Sequence, residues 1–441
     1  MLWSFAYFFF LMCGYAILKP LRDAMVIAGS TKLLSTSVLF SVTFAAMLVA
    51  VPLYSALVAR YPRHRVIPYV YGFFLLNLLA FYVLLRTGVA PRLVARSFFV
   101  WASVYNLFVV SVFWSFMADL FVSEQGKRLF GFIAAGGTVG AILGPLLTAR
   151  LVEPLGATNL LLVSAALLAL AMLCVRRLIA WAHVASQRRP PLVPRNEEPV
   201  GGGVFAGFQL MLHSRFLLML GLQVLLYTVT STFLYIQQLQ LVAAHASDTA
   251  GRVQAFANIE FWVQGLTLFL QVTVTGRLLQ RLGLVTGLLL APAVTALGFV
   301  ALALSPSLGV LTLFRSLRSS VHYAIDRPSR EVLFTSVDRE ERYKSKSFID
   351  TAVYRGGDLA STWLQTGLAG LGLGLAGLAL LGAPLALLWG AVGVYLARHQ
   401  ARAARAHVTV DQLEARSEAP PAREGTPLAR RTAEPNERGD T

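Results

Sequence analysis

Charged side chains stand inside an apolar stretch near the start of the sequence. The segment "ILKPLRDAM" places Lys19, Arg22 and Asp23 at positions i, i+3 and i+4, so a helix would carry all three on one face. A charged side chain near the centre of a bilayer costs at least about 2.5–3.5 kcal/mol on insertion scales, and it normally faces a partner or a wet cavity. These three residues therefore indicate a polar pathway through the protein.

A second polar stripe occurs in a later apolar segment, where Pro328 is expected to kink or end the helix. Its members follow one another at steps of three or four residues and so share one helix face: Arg315, Arg318, His322, Asp326 and Arg330. Together the two stripes hold an excess of about three positive charges. A cavity lined by both would attract an anion, because Arg presents forked donors that match phosphate and carboxylate oxygens.

The same residues could instead have a purely structural role. Internal ion pairs, Lys19 with Asp23 and Asp326 with Arg330, would hold helices together without a ligand, although a basic excess would remain. Glu260, in "NIEFWVQ", is a further intramembrane acid that could carry a coupling proton or cation, or could pair with a neighbouring basic helix. Asp326 is the second candidate for coupling.

Two clusters of uncharged residues also lie in apolar stretches. In "YIQQLQ", three glutamines could hydrogen-bond a base or a sugar, although their place near a helix end is more typical of solvated side chains: Gln237, Gln238 and Gln240. Four glycines indicate close packing between helices: Gly136, Gly137, Gly140 and Gly144.

The elements that must position these residues are membrane-spanning helices. The sequence has 441 residues, of which 56% are hydrophobic and only 14% charged, a composition too apolar for an ordinary soluble protein. A β-barrel would show alternating segments of about ten residues. Instead, twelve stretches are long enough to cross a hydrocarbon core of about 30 Å as helices: 2–27, 34–59, 66–86, 97–121, 130–152, 158–178, 216–243, 252–276, 283–304, 307–329, 346–371 and 375–397. The sequence therefore predicts an all-α membrane protein with twelve transmembrane helices.

A long polar break, "RRLIAWAHVASQRRPPLVPRNEEPVGGGV", divides these helices into two sets of six. The predicted domains are an N-terminal six-helix bundle at 1–178, a central cytoplasmic loop at 179–204, an interfacial helix and C-terminal six-helix bundle at 205–398, and a disordered cytoplasmic tail at 399–441. The halves repeat features, since "SEQGKRLFGFIAAGG" is matched by "REERYKSKSFIDTAVYRGG". Two six-helix pseudo-repeats are typical of the major facilitator architecture, whose substrate site lies between the halves.

The distribution of Lys and Arg predicts the orientation. Most of the basic residues of the connections fall on one side, which the positive-inside bias places in the cytoplasm together with both termini. Much of the net charge of +16 is thus topological, so nucleic acid is not expected as a partner. The first span is expected to stay uncleaved, because no basic segment precedes it and no small-residue cleavage site follows it.

Motifs for several other classes of function are missing from the sequence. It contains no G-x-x-x-x-G-K-[ST] phosphate loop, which argues against a self-contained ATP-driven pump. No His/Cys cluster has metal-binding spacing, and no catalytic constellation is recognisable, so neither a cofactor nor an enzymatic activity is predicted. Cys13 and Cys174 both fall in predicted spans and are expected to be small buried hydrophobes rather than a disulfide.

Three stretches, in order, resemble the ATP/ADP translocases of intracellular bacteria and plastids. "ILKPLRDAMVI" is similar to the family's first-span motif, "VVSVFWSFMADLF" to its fourth span, and "YKSKSFIDTAVYRGG" to its tenth-to-eleventh connection. Matched by position, Arg22 stands where the family has Lys, followed by Asp23, and Arg355 stands where the family has Lys before Gly-Gly. The remaining motif residues are Lys344, Lys346, Asp350, Gly356 and Gly357.

The resemblance implies a major facilitator-type fold and nucleotide exchange across a bacterial inner membrane, with basic residues of spans one and eleven binding substrate. Together with the stripes, it gives seven expected substrate-binding residues: Lys19, Arg22, Asp23, Arg315, Arg318, His322 and Arg355. The chain departs from the family in its fourth span, where "WASVYNLF" lacks the family's acidic residue. We expect a monomeric secondary transporter of an anionic, phosphorylated metabolite. The alternatives are a proton-coupled transporter of another metabolite or drug, and a non-transporting membrane scaffold.

Overall fold

The computed structural model describes residues 1–29, 33–60, 63–121, 123–186, 206–334, 337, 345–346 and 348–417. All regular secondary structure in these ranges is helical. The α-helices are α1 (Leu2–Gly29), α2 (Leu33–Arg60), α3 (Arg63–Thr87), α4 (Pro91–Leu120), α5 (Ser123–Leu155), α6 (Leu160–Ser186), α7 (Ala206–His213), α8 (Arg215–His245), α9 (Thr249–Thr273), α10 (Thr275–Leu304), α11 (Leu308–Val321), α12 (Arg327–Leu333), α13 (Tyr354–Gly370) and α14 (Leu375–Ser417). Two π-helical segments, His322–Asp326 and Ile349–Val353, join α11 to α12 and lead into α13.

Eight of the helices in the described part are long and apolar enough to cross a membrane: α1, α3, α4, α5, α6, α8, α10 and α14. The other long helical stretches are α2, α9, α11 with α12, and α13. Three of them, α9, α11 with α12 and α13, carry the charged residues discussed below, which lowers their hydropathy. The chain is therefore an all-helical, multi-pass membrane protein.

The helices of the first half pack around α1, which contacts α4, α5 and α6. The contact with α5 is close because glycines face α1: a Cβ atom at Gly140 would lie 2.5 Å from the carbonyl oxygen of Phe9, and one at Gly144 would lie 2.6 Å from Cβ of Ala16. A larger side chain at either position would push the two helices apart. The predicted role of these glycines in helix packing is confirmed, and we call α1–α6 the N-group.

The helices of the second half form the C-group, α8–α14. Within it, α10 packs against α14 and α11, while α8 packs against α13 and α14. The two groups meet where α5 and α1 contact α9 and where α2 contacts α13. A site that lies between the groups is thus bounded by α1, α2 and α4 on one side and by α8, α11 and α13 on the other.

Consecutive spanning helices are joined by short turns and run in opposite directions, so alternate connections lie at the same face of the bundle. The ends of α3, α5, α8, α10 and α13 are each followed within five residues by the next helix, and α1 ends at Gly29 close to Leu33, where α2 begins. A hydrogen bond joins two of these connections: Arg96, near the start of α4, donates from Nε to the carbonyl oxygen of Gly29, at the end of α1, over 3.0 Å. We call this side the short-turn face.

Some predicted boundaries differ from the structure. Helix α6 continues to Ser186 rather than ending at 178, and α14 continues to Ser417 although disorder was expected from 399. The physical reason for the second difference is that this polar segment is rich in Ala and Arg, which favour a helix without an apolar face. Residues 187–205, Lys344 and the last part of the predicted tail, 418–441, lie outside the described residues.

Candidate functional site

A polar cavity of about 210 Å³ lies between the N-group and the C-group. Three arginines reach it from three different helices: Arg22 from α1, Arg315 from α11 and Arg355 from α13. The other residues around it include hydroxyl, aromatic and apolar side chains: Phe40, Thr43, Phe44, Met47, Phe99, Ser103, Ser231, Thr232, Tyr235, Tyr354, Asp358 and Leu359. The structure thus brings one residue of each predicted stripe, Arg22 and Arg315, to the same cavity.

Arg22 is held in place by its neighbour in sequence. Its Nε and Nη2 atoms donate to Oδ1 of Asp23 over 2.9 and 2.7 Å, and the hydroxyl of Tyr235 on α8 donates to the same oxygen over 2.9 Å. The guanidinium also lies over the ring of Phe99, 5.3 Å from its centroid. Asp23 therefore bridges the two groups and fixes Arg22 at the cavity wall.

Arg315 differs from the other two arginines because it has no carboxylate partner in the described part of the chain. Its Nε atom is buried and has no hydrogen-bond partner among the described residues. Its charge interacts with Lys19 of α1, Tyr235 of α8 and Glu260 of α9. The side chain of Arg315 therefore lies among these three helices. A guanidinium at a cavity that has no carboxylate partner can direct its donors at an anion.

Arg355 is the most exposed of the three, with 42% of its side chain accessible. Its Nη1 atom lies 3.7 Å from Oδ2 of Asp358, too far for a hydrogen bond. Asp358 is fixed instead by Thr232, whose hydroxyl donates to Oδ1 over 2.8 Å. The guanidinium of Arg355 is therefore free to turn toward a ligand.

Lys19 lies outside the cavity lining and forms an ion pair with Glu260 of α9. The distance from Nζ to Oε1 is 2.5 Å, and Gln264 donates to the same oxygen over 3.2 Å. The predicted alternative of a Lys19–Asp23 pair is wrong, because Arg22 occupies Asp23 and a closer carboxylate comes from another helix. Of the two roles left open for Glu260, the structure shows pairing with a basic helix, and it joins the two groups.

Arg318 and His322 are buried behind α8 rather than in the cavity. Arg318 donates to the carbonyl oxygen of Tyr227 and to the hydroxyls of Thr230 and Ser231, over 3.0 to 3.3 Å. These acceptors are all uncharged. The positive charge of Arg318 is therefore not offset by them, and it lies close to the cavity wall at Ser231. His322 stacks on the ring of Tyr227 with a centroid separation of 3.8 Å.

Asp326 and Arg330 do not pair with each other, so the second alternative pair is wrong as well. Asp326 accepts a hydrogen bond of 2.9 Å from Nδ1 of His322, while Arg330 lies 3.4 Å from Asp350. The π-helical segment at His322–Asp326 changes the angular spacing along this stretch, which is one reason why an i, i+4 pairing was predicted in the wrong place. The π-helical segment ends two residues before Pro328, where the sequence predicted that the helix would kink or end.

The residues of the third family-like stretch have structural contacts. Lys346 forms an ion pair with Glu331 of α12, and Asp350 pairs with Arg330 of the same helix. A Cβ atom at Gly357 would lie 3.0 Å from Leu225, so this glycine lets α13 approach α8, whereas Gly356 faces open space. These contacts fasten the segment that leads into α13, which carries Arg355.

The predicted excess of three positive charges is smaller in the structure. Glu260, Asp350 and Asp358 lie beside Lys19, Arg330 and Arg355 and offset their charges. Among the described residues of the two stripes, Arg315 and Arg318 are the cations without a carboxylate partner. For Lys19 and Arg330 the sequence could not show this, because Glu260 stands on another helix and Asp350 in the connection before α13.

Several residues of the cavity were not found by sequence reasoning. Asp358 could have been, because it is an intramembrane acid directly after Gly357 and meets the criterion that identified Asp23. Phe40, Phe99 and Tyr235 form an aromatic wall with centroid separations of 5.8 and 6.0 Å, and nothing in their spacing distinguishes them from core aromatics. Their role depends on which helices meet.

Two of the three glutamines of "YIQQLQ" are buried rather than solvated, contrary to the more typical expectation. Gln237 and Gln238 are 0% and 4% exposed, and they are absent from the residues that line the cavity. Helix α8 is central in the C-group, so positions near its end are covered by neighbouring helices. Cys13 and Cys174 are buried free thiols, as expected.

Two other spaces are less suited to an anion. A groove of about 1160 Å³ runs between α9 and α11, and its described lining includes exposed Trp262 and Phe269 but no Lys or Arg. A cavity of about 350 Å³ lies between the groups, lined by residues such as Met12 and Gln271, which are far from the short-turn ends of their helices. The basic cavity is therefore the candidate site.

Comparison with known sequences supports the family resemblance. The chain is 23% identical over 316 residues to ADP,ATP carrier protein 1 of Chlamydia trachomatis serovar D, and 22% identical over 311 residues to ADP,ATP carrier protein 1 of Chlamydia muridarum. Each alignment covers 62% of this chain and 58% of the relative, so the match spans less than two thirds of those proteins. No family model matches the sequence.

Comparison with solved structures concerns the fold. The nucleoside transporter NupG superposes with a TM-score of 0.64 at 12% identity, covering 90% of this chain and 99% of that one. The POT family transporter PepTSo superposes with a TM-score of 0.62 at 14% identity, covering 89% and 97%. The chain therefore has the fold of these solved transporters, and its sequence is similar to that of the ADP,ATP carrier proteins of Chlamydia.

Proposed function

We propose that this protein is a secondary transporter that exchanges anionic, phosphorylated metabolites by alternating access, with nucleotides of the ATP/ADP type as the first candidates. The observation that carries the proposal is Arg315, a partly buried cation without a carboxylate partner in the described chain, at a cavity that Arg22 and Arg355 also line. Three arginines from three helices can surround a phosphate group from different sides.

The aromatic wall supports a nucleotide over an inorganic anion. Phe40, Phe99 and Tyr235 lie on the side of the cavity formed by α2, α4 and α8, whereas Arg315 and Arg355 come from α11 and α13. A base could stack on the aromatic side while the phosphates face the arginines. The volume of about 210 Å³ is below the roughly 300–1,000 Å³ of typical ligand sites, so we expect the cavity to widen as substrate enters.

Exchange follows from the charge of the site. Without an anion, closing the cavity around Arg315 would bury an unpaired charge, which is unfavourable. The empty carrier is therefore expected to reorient slowly until another anion fills the site. Efficient net uptake into liposomes that contain no counter-substrate would contradict this step.

In this proposal the chain has twelve spans in two halves that rock about the cavity, and it lies in a bacterial inner membrane with both termini in the cytoplasm. The short-turn face is then the outer face. The described contacts close this face: the hydroxyls of Ser37 and Thr366 are 2.6 Å apart, and Gln254 donates to Glu153 over 3.0 Å. The cavity near Met12 and Gln271 lies toward the opposite side, which fits an inward-facing state.

The function is tested by ligand-dependent thermal unfolding in detergent. A ligand that binds only the folded protein at 100 times its Kd stabilises it by about 2.7 kcal/mol. We expect ATP or ADP to raise the unfolding midpoint, and we expect Arg22→Gln to reduce that rise because it removes one of the three arginines. Arg177→Gln, an exposed site on α6, is the matched control.

The other outcomes of this test separate the alternatives. Midpoint shifts with sugar phosphates or dicarboxylates alone would keep the basic site and exclude the nucleotide. If no anion shifts the midpoint and Arg22→Gln changes only stability, the scaffold interpretation is favoured.

Alternating access is tested by locking the short-turn face. In a Cys13→Ala/Cys174→Ala background, Ser37→Cys with Thr366→Cys is expected to form a disulfide, because the two side-chain oxygens are 2.6 Å apart. The cross-linked protein should lose exchange activity in liposomes, and a reductant should restore it. The single-cysteine variants are the controls, and full activity of a completely cross-linked sample would contradict the proposal.

Proton coupling is the second candidate, and the Lys19–Glu260 pair favours it. The pair joins α1 to α9 between the two groups, so a proton on Glu260 would break a contact that holds them together. Uptake driven by a pH gradient, and abolished in Glu260→Gln, would support this candidate over exchange.

A further inference from the structure

A single carboxylate stands in the described lining of this basic cavity. Asp358 lies on α13 one turn from Arg355, and 20% of its side chain is accessible. A carboxylate repels phosphate and carboxylate groups of a ligand, so its presence needs an explanation in a site proposed to bind anions.

The two oxygens of Asp358 have different surroundings. Oδ1 accepts the hydrogen bond from the hydroxyl of Thr232, which comes from α8 and fixes the orientation of the carboxylate. Oδ2 is 3.7 Å from the nearest guanidinium nitrogen of Arg355, beyond hydrogen-bond distance. An oriented acceptor is therefore available at the cavity.

An ionised carboxylate accepts hydrogen bonds and donates none. It therefore accepts a hydrogen bond from a ligand hydroxyl or amino group, and it repels a second anionic group. A site built to bind a hydroxyl rejects analogues that lack it, because its buried polar group is then left unpaired. Arg315 and Asp358 line one small cavity, so a matching ligand carries its donor next to its anionic group.

We infer that Asp358, oriented by Thr232, selects anions that carry a hydroxyl or amino donor beside the anionic group, such as the ribose hydroxyls of a nucleotide. This inference rests on the proposed function and adds a specificity-determining residue to it. A purely structural role, as the counter-ion of Arg355, makes a different prediction, because losing a counter-ion would change the binding of every anion alike.

The test uses calorimetric titration of the full chain in detergent with two matched pairs of probes. These are ADP with 2′,3′-dideoxy-ADP, and glycerol 3-phosphate with propyl phosphate; the second probe of each pair lacks the hydroxyls. The wild-type protein is expected to bind the hydroxyl-bearing probe at least about tenfold more tightly.

Asp358→Leu should reduce that preference to less than about twofold, because leucine has a similar shape and no acceptor. Asp358→Asn should keep part of the preference and bind propyl phosphate more tightly than the wild type, because the repulsion is gone. Thr232→Val leaves the carboxylate in place but free to rotate, so it should give an intermediate preference for the hydroxyl-bearing probes. This variant tests the role of the oriented carboxylate even if the Asp358 variants fold poorly.

If Asp358→Leu changes the Kd of both probes of a pair by the same factor, this inference is overturned and the proposed function still stands. The inference is likewise overturned, and the proposed function stands, if the wild-type protein binds both probes of each pair equally tightly. If the wild type binds none of the four probes, the proposed function fails and the inference fails with it.

Discussion

Replacing Arg315 by Gln is expected to weaken anion binding by about 30- to 700-fold, corresponding to about 2–4 kcal/mol. The expectation is larger than for Arg22 or Arg355, because Asp23 and Asp358 lie beside those two arginines and offset their charges. Arg315 has no carboxylate within ion-pair distance in the described chain, so more of its charge is left for an anion. The measurement is the Kd for ADP, or for the best anion of the thermal panel, by titration calorimetry.

Stability gives this prediction a distinct signature. Without ligand, Arg315→Gln should change the unfolding midpoint little, because Arg315 is partly exposed and has no carboxylate within ion-pair distance in the described chain. Arg318→Gln should instead lower the unfolding midpoint, because it breaks hydrogen bonds to Tyr227 and Thr230. Arg177→Gln is the matched control and should change neither quantity. Undiminished anion binding by a folded Arg315→Gln protein would refute the assignment of Arg315 to the site.

Breaking the Lys19–Glu260 pair is expected to cost about 3–5 kcal/mol of folding stability when Glu260 is replaced by Gln. That variant leaves Lys19 and Arg315, two neighbouring cations, without a carboxylate between them. Lys19→Gln should cost less, because the charge of Arg315 still compensates Glu260. The double variant Lys19→Gln/Glu260→Gln should recover much of the loss, which a double-mutant cycle of denaturation in detergent would measure.

Glu153→Gln provides the matched control for this cycle. Glu153 also contacts α9, through Gln254, but it is exposed, so its replacement should cost less than about 1 kcal/mol. Additive effects of the two single substitutions at Lys19 and Glu260 would show that the pair does not join the helix groups energetically.

The sequence correctly predicted a helical membrane protein and the close packing at Gly140 and Gly144. These predictions depend on hydropathy and on small residues within apolar stretches, which are local properties of the chain. Boundaries were less accurate, as α14 shows: a loss of apolar residues marks the end of a membrane span, but it does not end a helix whose residues favour helical backbone.

By itself the sequence determined which residues are too costly to bury without a purpose, namely the charges of the two stripes and Glu260. Only the tertiary structure decided their partners, because an i, i+4 spacing shows which side chains share a face and not which other helix lies opposite. It assigned Asp23 to Arg22 and Glu260 to Lys19, placed Arg318 behind α8, and left Arg315 at the cavity beside Asp358. The anion site is thus a product of helix packing, since its three arginines are up to 333 positions apart along the chain and meet only where two helix groups join.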